Sequence, residues 1–545
     1  MTGAALTSLS RRFALGAACL TLALLLPACA QRETAVQSGN RGQVLHRGIG
    51  PDLSDFDPHL ATQAGSYNVL SAIFEGLVAE DPVDLHPVPG VAEHWEASAD
   101  GLTYTFFLRA DAKWSNGDPV TAADFIASWR RVLTPDLGAD NANLLYVIQG
   151  AEGFHKGQTS FAQVGLAAPD ARTLRVTLEH PTPYFLPLLN NPAWFPVHLR
   201  SVEASGSATQ RSNPWAQPGR LVGNGPFQLK EWRRGQEIVV EKSPTYWDAA
   251  RVRLAGIHFH TLDSGDAEER AFRAGQLHLT EALPPDRVDV YRRDSPQFLR
   301  IDPLLGTYFY RLNVTRPILN DPRIRRALAL AVDRDAIVTK LLRGGQLPAH
   351  AFTPPGTAGY SPAAAVTTDF AEARRLLAAA GHPGGRDLPP FELLFNSSET
   401  HRVIAESIQE MWRRELGVEV RLLNQENKAL LEARRAGNFQ ILRSVWIADY
   451  VDPSSFLDIW RTDNGNNYTG WASSAYDGLL FSAARTPNAA ARNALYQQAE
   501  ALLLEAMPLI PIYHYTHVFL CQPSVKGWHP TPLDHHPYKY VWLEE

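Results

Sequence analysis

The sequence predicts an α/β protein of more than one domain, and three observations carry that expectation. Stretches of period-two alternation interleave with stretches whose apolar residues recur at helical spacing. Residues 391–395 and 418–422 are strand-like and flank a helix-like run, which makes a βαβ unit and a parallel pair of strands. The chain has 545 residues, enough at about 150 residues per domain for two to four domains.

From the N-terminus, Arg11-Arg12 ahead of the apolar run 13–26 has the pattern of an export signal, and that run is short for a bilayer span. Leu26-Pro27-Ala28-Cys29 resembles the bacterial lipobox, in which the cysteine becomes the lipidated first residue after cleavage. The alternative is an ordinary signal peptide cut near the same place. Ser10-Arg11-Arg12-Phe13 also resembles a twin-arginine signal, so the export route stays open. Residues 1–28 are read as signal peptide, and 29–41 as a polar, aperiodic tether lipidated at Cys29. Of three cysteines only Cys521 then remains free in the body. No intramolecular disulfide is possible, and the fold depends on its core.

In the body, residues 103–108 read as a strand and Asn116-Gly117-Asp118 as a turn. Thr121 with Asp124 is a capping-box-like start for a helix whose buried stripe is Phe125, Trp129, Val132 and Leu133. Asp321-Pro322 opens another helix with an N-cap and a first-position proline, and Ile324, Leu328 and Val332 continue it. In the βαβ unit, Ile404, Ile408, Trp412 and Leu416 share a helix face that Gly417 ends. The apolar run 441–447 is the next strand, and it places Asp449 on the following loop between Trp446 and Tyr450. Loops at that end of parallel strands bind ligands. By residue type alone, Asp449 is a turn acid, a catalytic acid or the anchor of a cationic ligand.

Enzyme signatures are missing. There is no G-x-S-x-G elbow, H-E-x-x-H pair, Walker loop or dinucleotide fingerprint. Gly223-Asn224-Gly225-Pro226 reads as a turn, not a phosphate cradle, because proline follows at once. His258 and His260 alternate as in a strand, and His535-His536 stands beside Pro537. None has an acid or cysteine at ligand spacing, so neither a metal site nor a cofactor is expected. Cys521 reads as a small buried hydrophobe. The formal charge is −6, and loss of the signal, with two arginines and no acid, leaves it near −8. That balance disfavours nucleic acid or an anionic membrane surface as partner. Thirteen tryptophans and seventeen tyrosines suit either cores or a wide ligand cleft.

A series of short blocks, in order, carries a family likeness. They are Asp57-Pro58-His59, Phe74-Glu75-Gly76-Leu77, Pro89-Gly90-Val91-Ala92-Glu93, the run 108–117, Tyr246-Trp247-Asp248, the run 321–328 and Trp446-Ile447-Ala448-Asp449-Tyr450. Together they resemble the solute-binding proteins of bacterial peptide ABC importers, the family 5 extracellular solute-binding proteins. The resemblance implies a type II periplasmic-binding-protein-like fold, with two α/β lobes joined by hinge strands and an additional inserted domain. Lobe I is expected at 42–75, 200–305 and 515–545, the insert at 76–199, and lobe II at 306–514. It implies a monomeric, lipid-anchored receptor in the periplasm or cell envelope. Such a receptor captures short peptides without chemistry and delivers them to ABC permease subunits. The alternatives are a dipeptide or murein-tripeptide specialist and a ligand-presenting sensor partner.

The resemblance also assigns roles residue by residue. Asp449 is expected to pair with the peptide N-terminus, with Trp446, Tyr450 and Ala64 as cleft walls. Arg443, Arg434, His401 and Lys340 match basic positions that meet the peptide C-terminus or backbone at increasing ligand length. Four positions depart from the family pattern: Thr62 and Arg311 stand where glutamates are expected, Asn427 where tryptophan is, and Gly306 where cysteine is. Thr62 and Arg311 both remove negative charge from the pocket wall, which is expected to disfavour lysine-rich peptides.

Overall fold

Two long strands organise the molecule. In the computed structural model, which describes residues 33–61, 65–211, 213–462 and 464–545, Leu299–Leu312 pairs antiparallel with Leu509–Leu520. Their register runs from Leu299 opposite Leu520 to Arg311 opposite Leu509, with irregularities between Pro303 and Thr307 and between Tyr308 and Phe309. Near Pro303, which has no N–H to give, Leu305 N turns out of the ladder to donate to Pro532 O at 2.7 Å. One end of the pair packs with Phe272, Leu277 and Val288. The other end lies in a different core, with Tyr308, Tyr310 and Ile510. The pair therefore passes from one α/β body into the next, as hinge strands do.

Beyond the hinge the pair sits inside a six-stranded sheet, ordered Leu347–Pro348, Leu509–Leu520, Leu299–Leu312, Ile441–Ile447, Phe391–Asn396, Val420–Gln425. Phe391–Asn396 is parallel to both of its neighbours, which is the expected βαβ arrangement. Its crossover helix, Glu399–Leu416, buries Ile404, Ile408, Trp412 and Leu416. Gly417, at φ +66°, ends that helix with its N–H on Arg413 O. Alternation assigns the two sheet faces. Tyr308, Tyr310 and Leu312 point to the core under this helix, and Phe309 to a second core with Trp460 and Phe456.

On the other side of the hinge is a four-stranded sheet, Val44–Gly48, Gly256–His260, Glu237–Lys242, Phe227–Arg233. Its core holds Leu45, Ile257, Phe259, Trp215 and Tyr538. Residues 77–194 build a further core around Phe106, Trp114, Trp129 and Trp194, under the antiparallel strands Ala92–Ala97, Thr103–Leu108, Thr173–Thr177 and Leu166–Asp170. Helix Ala122–Leu133 begins as its sequence predicts, with Thr121 N and Oγ1 both donating to Asp124 Oδ2 at 2.7 and 2.8 Å. Asp321 caps Pro322–Leu330 by accepting from Arg323 N at 2.8 Å. Among the described residues no helix is long and apolar enough to cross a membrane.

One expectation is corrected. The segment read as an irregular tether contains a helix, Ala35–Gly42, closed by a reciprocal capping box between Thr34 and Gln37. Val36 N donates to Gly275 O at 2.9 Å, and Gly39 lets the helix approach Val44 and His278 more closely than any side chain would permit. The polar composition hides the helix because it docks through a glycine and backbone polar groups, not an apolar stripe. Cys29, Thr62 and Ala64 lie outside the described residues.

Candidate functional site

Asp449 stands two residues beyond strand Ile441–Ile447, in a turn that hydrogen bonds hold as one unit. Ser455 is the pivot: its O accepts from Trp446 Nε1 at 2.6 Å and its Oγ from Asp449 N at 2.9 Å. Ala448 N donates to Leu305 O at 2.8 Å, tying the turn to the hinge. Asp452 Oδ1 accepts from Ser454 N and Ser454 Oγ at 3.0 and 2.8 Å, which starts the short helix Ser454–Leu457 and leaves Asp449 without a capping role. Among the described residues the Asp449 carboxylate has no hydrogen-bond or ion-pair partner. Burial lifts its pKa from the usual carboxylate range to about 6. Tyr450 is buried and stacks on Tyr184 of the 77–194 core, ring centres 4.6 Å apart and planes within 9°. The turn thus sits on the seam between two bodies.

At the other end of the same strand, Arg443 is opposite Tyr310. Its NH1 donates to Asn396 Oδ1 at 3.3 Å and its NH2 to Tyr515 Oη at 3.2 Å. The guanidinium lies 4.9 Å from the centre of the Tyr308 ring. His401, at the start of Glu399–Leu416, shares this face, with its ring 5.6 Å from Tyr308. Burial, aided by the charge of Arg443, pushes His401 down to about 3 and keeps it neutral. Arg443 Nε and His401 Nδ1 are buried without partners. No acid answers Arg443 among the described residues, an expensive arrangement unless a ligand anion completes it.

Arg311 is opposite Leu442 and so lies on the other face of the sheet. It is fully buried, donates to Ser444 Oγ at 3.2 Å and Asn466 O at 2.8 Å, and sits 5.0 Å from the Trp460 ring. Burial, with the nearby charge of Arg434, pushes its pKa down to about 9. Arg434 stacks on Tyr468 at 4.6 Å, and Arg311 is 5.5 Å from the same ring. The structure therefore sorts the basic positions into Arg443 with His401 on one face and Arg434 with Arg311 on the other. Lys340 joins neither. It is exposed in a cleft with Asp289, Arg292 and Arg343. Asn427 is exposed at the start of Asn427–Arg435. At Gly306 the space that a side chain would fill belongs to Ile447, whose Cδ1 lies 2.3 Å from an added Cβ.

Sequence reasoning missed the tyrosines that frame the cations: Tyr308, Tyr513 and Tyr515 around Arg443, and Tyr468 between Arg434 and Arg311. A signal was there in the alternation of Tyr308-Phe309-Tyr310 and Tyr513-His514-Tyr515, which puts tyrosines on one face of adjacent hinge strands.

Paired α/β bodies, hinge strands and a carboxylate without a partner in the turn at the seam define an extracellular solute-binding protein. Residues 86–468 match the family described as "Bacterial extracellular solute-binding proteins, family 5 Middle", and the chain belongs to that family. It is 36% identical over 502 residues to the periplasmic oligopeptide-binding protein OppA of Escherichia coli, covering 90% of this chain and 91% of that one. The structure of the E. coli murein tripeptide binding protein MppA superposes with a TM-score of 0.84 at 35% identity, covering 92% of this chain and 98% of MppA. The unliganded open form of MppA gives 0.73 at the same identity, covering 92% and 97%. The bodies here are closer to the first arrangement than to the open one.

Proposed function

We propose that this chain is a lipid-anchored receptor, acylated at Cys29, that closes over short peptides and passes them intact to an ABC permease. The observation that carries the reading is one carboxylate without a partner, Asp449, and one guanidinium without an acid opposite it, Arg443, among the described residues and on a single strand-and-turn segment. A peptide presents the complementary pair, an ammonium at one end and a carboxylate at the other. Six residues at about 3.3 Å each separate the two by at most roughly 20 Å, a span that covers extended peptides of about two to five residues. Pairing with backbone groups would supply affinity without reading side chains. His401 and Arg434 serve longer ligands, and Trp446 and Tyr450 shield the ammonium site; Lys340, exposed in a separate cleft, takes no part. In this reading lobe I comprises 42–75, 200–305 and 515–545, the insert 76–199 and lobe II 306–514, with helix Ala35–Gly42 added to lobe I.

The test is mass spectrometry of ligands released by denaturing the purified mature protein. A set of co-purified peptides two to five residues long is expected, unchanged after incubation. One defined non-peptide species would overturn the reading, and a single tripeptide in place of a set would assign the specialist role instead. The mass of the N-terminal tryptic fragment reports the lipid on Cys29.

A further inference from the structure

Asp449 and Arg443 answer the two ends of a peptide, but the cations on the other face of the sheet have no counter-charge. Arg311 is fully buried. Its Nε and NH1 donate to Ser444 Oγ and Asn466 O, and its NH2 has no hydrogen bond among the described residues. Arg434 is half-buried at the end of Asn427–Arg435, and its Nε is buried without a partner. Both guanidiniums face one ring, that of Tyr468, 4.6 Å from Arg434 and 5.5 Å from Arg311. Tyr468 in turn packs on the small core of Leu430, Phe439 and Leu442. No acid of the described chain acts on either charge, and burial lowers both from the ordinary arginine range. Two like charges beside an apolar wall are costly on their own, and an anion that accepts from both offsets that cost.

Strand Ile441–Ile447 can bring such an anion to them. It pairs with Leu299–Leu312 through to Ile447, but with Phe391–Asn396 only at Ile441 and Leu442. From Arg443 to Ile447 one backbone edge is therefore open among the described residues. An extended peptide added along that edge points its side chains alternately to the two faces of the sheet. One set would face Arg443 and His401, and the other would face Arg311 and Arg434. A carboxylate matches a guanidinium in planar, two-pronged geometry, and in a site shielded from water the match is strong.

Resting on the peptide reading, we propose that Arg311 and Arg434, with Tyr468 as the wall, form a subsite for a side-chain carboxylate. The receptor then favours peptides with glutamate or aspartate at positions of one parity. The test is calorimetry of the mature protein, stripped of bound peptide, with trialanine and with its single glutamate and glutamine variants at each position. Glutamate and glutamine have nearly the same shape, so the ratio of their affinities reads the side-chain carboxylate apart from the C-terminal one. Glutamate should bind about ten- to a hundredfold tighter than glutamine at position two or at the outer positions, and not at neighbours. Arg311→Gln and Arg434→Gln should each remove most of that preference. Lys340→Gln, which deletes an exposed cation in a separate cleft, should leave it at the wild-type value. If Arg311→Gln fails to fold, as thermal unfolding would report, the half-buried Arg434 still supplies the test. No glutamate preference while trialanine binds, equal preference at adjacent positions, a preference that survives Arg434→Gln, or one that Lys340→Gln abolishes would each overturn the subsite. Failure of trialanine itself to bind would overturn the peptide reading, and the subsite with it.

Discussion

At Asp449, burial lifts the carboxyl to about 6, and no basic group of the described chain lies within pairing distance. Ligand binding needs the ionised form. Affinity for a peptide with a free amino terminus should therefore be flat above about pH 7 and fall by up to tenfold per unit below about pH 6. Asp458 is lifted by burial to about 7; repeating the titration in Asp458→Asn separates the two. Asp449→Asn should cost about 2–5 kcal/mol of binding. For the empty protein the sign reverses. A carboxyl whose folded pKa exceeds its unfolded value is a burden above the folded pKa that acidification relieves, so the variant should unfold no lower than wild type and up to about 1 kcal/mol more stably at pH 7. Retained binding would remove Asp449 from the site. Arg311 is buried and, at about 9, cationic at neutral pH. Together with Thr62 it should make trilysine bind more weakly than triglutamate, and equal affinities by calorimetry would discard that charge argument.

Among the elements, Gly306 and Ile447 make one packing unit across two strands. Gly306→Ala must displace Ile447 Cδ1 and should destabilise by about 1–3 kcal/mol. Ile447→Val, by shortening the obstructing arm, should recover part of that loss in a thermal double-mutant cycle. The elements legible in the sequence were those whose instructions are local. Thr121 with Asp124, Asp321-Pro322, and the Ile404 to Leu416 stripe closed by Gly417 each act within a few residues. The place of Asp449 on the loop after strand Ile441–Ile447 was legible for the same reason, since Asp452 and Pro453 take over the helix start beside it. Helix Ala35–Gly42 was not, because its docking partners, Gly275 and His278, are far away in sequence. Lys340 shows the converse, since a matching position in the chain does not fix the surface on which a side chain emerges.

For the whole molecule, two hinge strands leave the bodies free to rotate, and contacts across the seam set how far they close. Tyr184 and Tyr450 stack there, and Arg343 NH1 reaches Asp289 Oδ2 at 3.1 Å on the opposite rim. Tyr184→Ala should remove about 0.5–1.5 kcal/mol of closure, lowering peptide affinity about two- to tenfold. Small-angle scattering of the empty protein should show a larger radius of gyration. Unchanged scattering and affinity would mean that the stack is packing alone and takes no part in closure.

Under the proposed anchoring, the capped helix Ala35–Gly42 would also fix how far the receptor can stray. With lipid at Cys29, only five residue steps separate the anchor from Thr34, where the docked helix is capped, a reach of roughly 18 Å when fully extended. Under the proposed anchoring, a receptor held that close to the bilayer would meet its permease by diffusing in two dimensions, at an effective concentration set by the membrane and not by the volume of the compartment.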